Sequence, residues 1–217
     1  MYPPVPKYTK IWDISKVLHR LEQWSPEKYL SLKLLTCKVA LLILLASGQR
    51  VQTLHALDIT LMDFSKNQVV FQFDKHLKHS RPGKVLEPLV LRRFPDNPKL
   101  CVLNYLGKYL KRTGTLRSTD SLFISLNKPH GSVSKSTISR WVKYGLAKSG
   151  INLQVYGPHS IRAASTSAAI SEGVSVETIM QKGSWSNSQT FYKWYHKPID
   201  NSSSHKDFQK SVMSRKH

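Results

Sequence analysis

The stretch VALLILLASG, residues 39–48, constrains this chain more than any other. It is apolar nearly all round, so as a helix it has no face to offer water and belongs in the middle of a core. It is also well short of the roughly 20 residues that a membrane span needs. Extended upstream, SPEKYLSLKLLTCKVALLILLASG (25–48) reads as one core helix, with Ser25 as N-cap, Pro26 in the first turn and Gly48 as its stop. A helix buried on every side must be surrounded, and 217 residues suffice for one domain with a real core.

The segments downstream of Gly48 supply those surroundings. RVQTLHALD (50–58) starts a second short helix and puts Arg50 in the tight joint between the two. LDITLMDF, QVVFQF and KVLEPLVL predict three strands, separated by SKN and by DKHLKHSRPG, and together a small antiparallel sheet. Further helices are expected over 98–112, stopped by Gly114, over 134–149, over 158–172, closed by Gly173, over 176–182 and over about 188–196. The expected fold is α+β and mainly α-helical, with one three-stranded sheet. Residues 1–24, proline-rich at the start, read as a linker-like segment, 25–198 as the folded domain and 199–217 as a polar tail.

Charge narrows the partners. Lys and Arg outnumber Asp and Glu by 33 to 13, a formal net charge of +20, so the surface projects a positive field that draws polyanions. Nucleic acid is the first partner this implies, and no membrane is expected. MYPPVPKYTKIW lacks the apolar core of a secretory signal, and Cys37 and Cys101 both sit in apolar helical patterns. These features predict a reduced intracellular protein without a zinc site. Asp58, Asp63, Asp74 and Glu87 fall in the sheet region but form no recognisable metal-binding motif, and there is no G-x-x-x-x-G-K-[ST] loop for a nucleotide.

The chemistry concentrates in PHSIRAAS, residues 158–165. His159 and Arg162 are three apart at the start of a helix, so both should project from one face near free backbone N–H groups, an arrangement suited to a phosphate. The plain alternative is two solvated residues on a basic surface. Around this pair stand ASGQR with Arg50, a lysine-bearing hairpin, a glycine turn with Trp185 in KGSWSNSQ, and tyrosines in TFYKWYH. That order resembles the catalytic domain of the tyrosine recombinases, the phage-integrase class. The wording SGQRVQTLHAL with GSWS and its later tyrosine looks most like the eukaryotic transposon branch, of DIRS or Crypton type.

The resemblance implies a site-specific DNA recombinase or integrase that cleaves and rejoins strands through a covalent 3′-phosphotyrosyl intermediate, without cofactor, metal or ATP. Arg50 and Arg162 would hold the non-bridging oxygens, and His159 would act as base or proton relay. Lys78 would protonate the leaving oxygen as general acid, with Lys75 and Lys84 as rivals. Trp185, in a place where many members carry histidine, can donate a hydrogen bond but cannot shuttle a proton. Tyr195 is favoured over Tyr192 as nucleophile, the alternative being aromatic packing with Phe191. The resemblance further implies double-stranded DNA as substrate, a homotetramer on it, and a nuclear location if the host is eukaryotic. Two departures stand out. Thr53 replaces the acidic residue that usually orients the first arginine, and only the linker-like stretch precedes the catalytic part, so an N-terminal DNA-binding domain looks missing. An inactive DNA-binding remnant is the alternative reading.

Overall fold

The computed structural model of the chain describes residues 8–73, 87–183, 185 and 188–200. Lys75, Lys78 and Lys84, the Arg81-Pro82-Gly83 turn, Asp74 and the tail from Asn201 lie outside them.

Helix α2 (Leu32–Ser47) runs through the centre, and every residue from Leu35 to Leu44 is buried. It starts later than the sequence suggests. Ser31 is its N-cap, with its hydroxyl accepting from the Leu34 N–H at 3.3 Å. Ser25 instead shares a 2.6 Å hydrogen bond with the Tyr105 hydroxyl, and Glu27–Tyr29 forms only a single 3₁₀ turn. Two helices flank α2, α4 (Val102–Thr113) and α5 (Lys135–Lys148). Contact with α5 is close because a Cβ at Gly145 would collide with the Leu41 side chain. Short helix α3 (Val51–His55) follows α2 directly.

The sheet holds β2 (Met62–Phe64), β3 (Gln68–Phe71) and β4 (Leu89–Arg92), antiparallel in that order. Val69 stands opposite Leu91 and Phe71 opposite Leu89, and all four are buried, while Val90 points outward and is exposed. This alternation is that of a sheet with one face on the core. The architecture is the mainly helical α+β fold with a three-stranded antiparallel sheet that the sequence predicts.

Residues 11–23 depart from the linker-like expectation. They form β1 (Ile11–Trp12) and α1 (Ile14–Gln23), which Asp13 caps by accepting from the Ser15 N–H at 2.8 Å. Val17 and Leu21 of α1 are buried, and its end is held by Lys38, whose Nζ donates to the carbonyls of Leu21 at 2.6 Å and Trp24 at 2.8 Å. At the other end of the chain, β5 (Ile199–Asp200) pairs in parallel with β1, Ile11 opposite Ile199. The first residues of the expected tail are therefore part of the fold. Between lie α6 (Ser160–Ser171), α7 (Val176–Lys182) and α8 (Ser188–Trp194). Cys37 and Cys101 are both buried and unpaired, and burial pushes the Cys37 thiol up to about 12. Among the described residues, no helix is long and apolar enough to cross a membrane.

Candidate active site around Arg162

Helix α6 is built largely from small residues, SIRAASTSAAIS, which lets it sink into the structure with most of its first half buried. Ser160 anchors its start, donating to the Gly157 carbonyl at 2.7 Å and accepting from the Trp12 indole at 2.8 Å. Arg162, one turn in, is 2% exposed. Its Nη1 donates to the Gly48 carbonyl at 2.8 Å, and its Nη2 donates to the Gly183 carbonyl. The guanidinium carbon lies 3.5 Å from the centre of the Trp185 ring and 5.2 Å from that of Tyr195. Among the described residues its Nε is buried without a partner, and so is the Trp185 Nε1.

This is a cation under pressure. Burial, and next the charge of Arg50, lower the Arg162 pKa to about 9, with the nearby Tyr195 side chain acting in the opposite sense. Among the described residues, neither arginine forms an ion pair with a carboxylate. Two neighbouring guanidiniums, one with a buried Nε that has no partner among the described residues, are complementary to an anion with several oxygens.

Arg50 is exposed at the N-cap of α3. It stands near Arg162 because α2 ends at Gly48 in the left-handed conformation, φ 61°, a geometry that favours glycine. The turn also aims the Gly48 carbonyl at Arg162. Thr53, in the position where an acidic residue was expected from the resemblance, donates its hydroxyl to the Gln49 side chain at 3.2 Å.

The two tyrosines are separated by the end of α8. Tyr192 is 50% exposed and lies against Phe191 and His196. Tyr195 comes just after the helix's last residue, half-buried, with its ring edge-on to Trp185 at 5.0 Å. The structure therefore brings Tyr195, not Tyr192, to Arg162. Trp185 also packs edge-on against Phe191 at 5.1 Å. Its seat is Gly183, where a Cβ would overlap the indole ring, so the glycine permits the stacking on Arg162.

His159 and Arg162 differ in burial. His159 is the N-cap residue of α6 and is exposed, whereas Arg162 points inward. Lys78 and its two rivals fall outside the described residues. Asp58 is occupied in a turn, accepting from both the backbone N–H and the hydroxyl of Thr60. Among the described residues, no group of three His, Cys, Asp or Glu side chains is placed to hold a metal ion.

Several supporting residues escaped the sequence reading. Trp12 and Ser160 meet across 148 positions, and Thr166 and Ser167 reach the backbone of Tyr195. The signal available was the run AASTSAA, too poor in large apolar residues for an ordinary amphipathic helix. A basic surface lies on α5, where Lys135, Ser136, Ser139, Arg140 and Lys143 line an open cleft of about 460 Å³.

The model of the phage integrase family matches residues 13–201. The chain belongs to the phage integrase family. No curated protein sequence matches it. Among solved structures, XerA recombinase superposes with a TM-score of 0.65 at 18% identity, covering 100% of this chain and 68% of that one. The XerH site-specific recombinase bound to difH substrate in a pre-cleavage complex gives 0.62 at 12% identity, covering 88% and 51%. A lambda integrase dimer bound to a COC' core site gives 0.54 at 15%, covering 86% and 59%. At these identities the likeness is one of fold, the tyrosine-recombinase catalytic domain. This member of the phage integrase family spans between about half and two thirds of those chains' lengths.

Proposed function

We propose that the chain is the catalytic part of a site-specific DNA recombinase that breaks and rejoins strands through a phosphotyrosyl intermediate. The observation that carries this reading is the buried Arg162 guanidinium, beside Arg50 and with Nε and the Trp185 indole unpaired, facing a phenol. A scissile phosphate fits that set. Its non-bridging oxygens would take the free donors, and the phosphate's charge would relieve the repulsion between the arginines.

In the forward step the Tyr195 oxygen attacks phosphorus, forming the P–Oη bond as the bond to the 5′-oxygen breaks. The phenol's proton passes to His159, and Lys78 protonates the leaving 5′-hydroxyl. The reverse attack by a 5′-hydroxyl rejoins a strand and frees the tyrosine, so the ester conserves the phosphodiester's energy without ATP or metal. The exposed basic face of α5 suits the DNA backbone. Exchange between two duplexes calls for a homotetramer, and the SGQRVQTLHAL wording supports the transposon branch, with a nuclear location if the host is eukaryotic.

The test is a suicide substrate, a nicked or phosphorothiolate duplex carrying the element's own ends, incubated in EDTA with wild type, Tyr195→Phe and Tyr192→Phe. A protein–DNA adduct lost only in Tyr195→Phe is expected. Tight salt-sensitive binding without any wild-type adduct would favour the inactive remnant. Affinity should fall with salt by a slope of about −0.9 per phosphate contacted.

A further inference from the structure

Helix α6 carries Arg162, and five residues later it carries a hydroxyl that leaves the helix altogether. Ser167, 4% exposed, donates from Oγ to the Tyr195 carbonyl at 3.2 Å and accepts from the Lys197 N–H at 3.0 Å. One buried hydroxyl thus bridges the backbone on both sides of residue 196. Thr166 also touches the Tyr195 carbonyl, at 3.3 Å, but its closer partners are the Arg162 and Ala163 carbonyls within its own helix, at 2.8 and 3.1 Å.

The position of this bridge matters because Tyr195 lies beyond the regular end of α8. Its N–H still bonds the Phe191 carbonyl at 2.8 Å, and the His196 N–H bonds the same carbonyl at 3.2 Å. The chain next meets a fixed partner at Pro198, whose carbonyl accepts from Ile11 of β1 at 2.9 Å. Between those points the chain is attached to the element that holds Arg162 by Ser167 on both sides of residue 196, and by Thr166 at the Tyr195 carbonyl alone. An α-helix rises about 1.5 Å per residue, so the axial offset from residue 162 to 167 is set at about 7.5 Å. With the Tyr195 backbone tied to Ser167, only two side-chain torsions remain to place the phenol relative to the guanidinium.

We propose that Ser167 is a positioning residue for Tyr195, converting the rigidity of α6 into a fixed distance between the attacking oxygen and Arg162. The inference rests on the recombinase reading. Ser167 would touch neither DNA nor the reacting atoms, so its loss should act on the rate of the covalent step and not on affinity. A serine that merely stabilised the fold would lower unfolding temperature, binding and adduct together.

The experiment uses the full chain as wild type, Ser167→Ala and Ser167→Thr, on the suicide duplex. DNA affinity is measured by fluorescence anisotropy, thermal unfolding separately, and the adduct rate under single turnover at saturating DNA. Ser167→Ala is expected to slow the adduct about tenfold or more, since small misplacements of reacting groups are costly. Its affinity should stay within about twofold of wild type, phosphate contacts being untouched. Ser167→Thr keeps the hydroxyl and should recover most of the rate. A wild-type rate in Ser167→Ala, or a loss that only tracks affinity and unfolding temperature, overturns this inference alone. Absence of adduct from wild type overturns the recombinase reading and this inference with it.

Discussion

Lys38 and Arg162 are both cut off from solvent, and among the described residues neither forms an ion pair, yet one finds its partners inside the chain and the other does not. Lys38 donates to two carbonyls at the end of α1, and its Nζ lies 3.6 Å from the centre of the Tyr105 ring. Arg162 also has two carbonyls and an aromatic face, but among the described residues it keeps a buried unpaired Nε, near a second guanidinium, and beside it an unpaired indole N–H. Burying a polar group without a partner is costly, and the cost is removed when a partner arrives. The Lys38 site is therefore satisfied within the chain, whereas among the described residues the Arg162 site is not.

The sharpest way to break this contrast is to remove each charge in turn. Arg162→Met should slow single-turnover adduct formation by about 10³-fold or more, as loss of a preorganised donor to a developing oxyanion does. Its thermal midpoint should fall less than that of Lys38→Met, because the loss of the bonds to the Gly48 and Gly183 carbonyls is partly offset by removing a buried charge beside Arg50. Gly183→Ala, which drives a methyl into the Trp185 ring and so disturbs the stack on Arg162, should cost about 10²-fold in the same assay. Lys38→Met should leave the adduct rate at moderate temperature unchanged but orphan two carbonyls. A loss of about 2 kcal/mol, or about 5 °C in midpoint by calorimetry, is expected.

A last contrast lies in pH dependence. Burial first, and then the charge of Lys108, lower the Lys38 pKa from 10.5 to about 7. In the unfolded chain the amine keeps its proton up to about 10.5, whereas in the folded chain it loses it from about 7, so the unfolded state binds more protons in between and stability climbs with pH. Denaturant titrations between pH 7 and 9 should show that climb in wild type and a flatter profile in Lys38→Met. An equal slope in both proteins would mean that Lys38 is charged in the fold after all.

Local chemistry was legible where one segment determined it. The apolar run of α2, the alternation of β3 and β4 and the caps at Ser134 and Gly48 are all determined by residues within a few positions. The start of α2 was not, because Ser25 and Ser31 offer the same cap, and the choice rests on Tyr105, far along the chain. Likewise β1 holds two residues whose partners lie 188 positions away, a pairing that leaves no local pattern. At the site, the arginines and the tyrosine could be named from their order, but their surroundings could not. The groups that hold Arg162 are backbone carbonyls, which any residue possesses.

The pairing of β1 with β5 also has a mechanical side. The strands run parallel, so the chain enters the ladder at one end, at Ile11, and leaves it at the other, beyond Asp200. Tension between the two ends would load the hydrogen bonds in shear, all together, instead of peeling them apart singly. A pull arriving through the N-terminal side would thus reach the segment after Tyr195 before it reached the helical core.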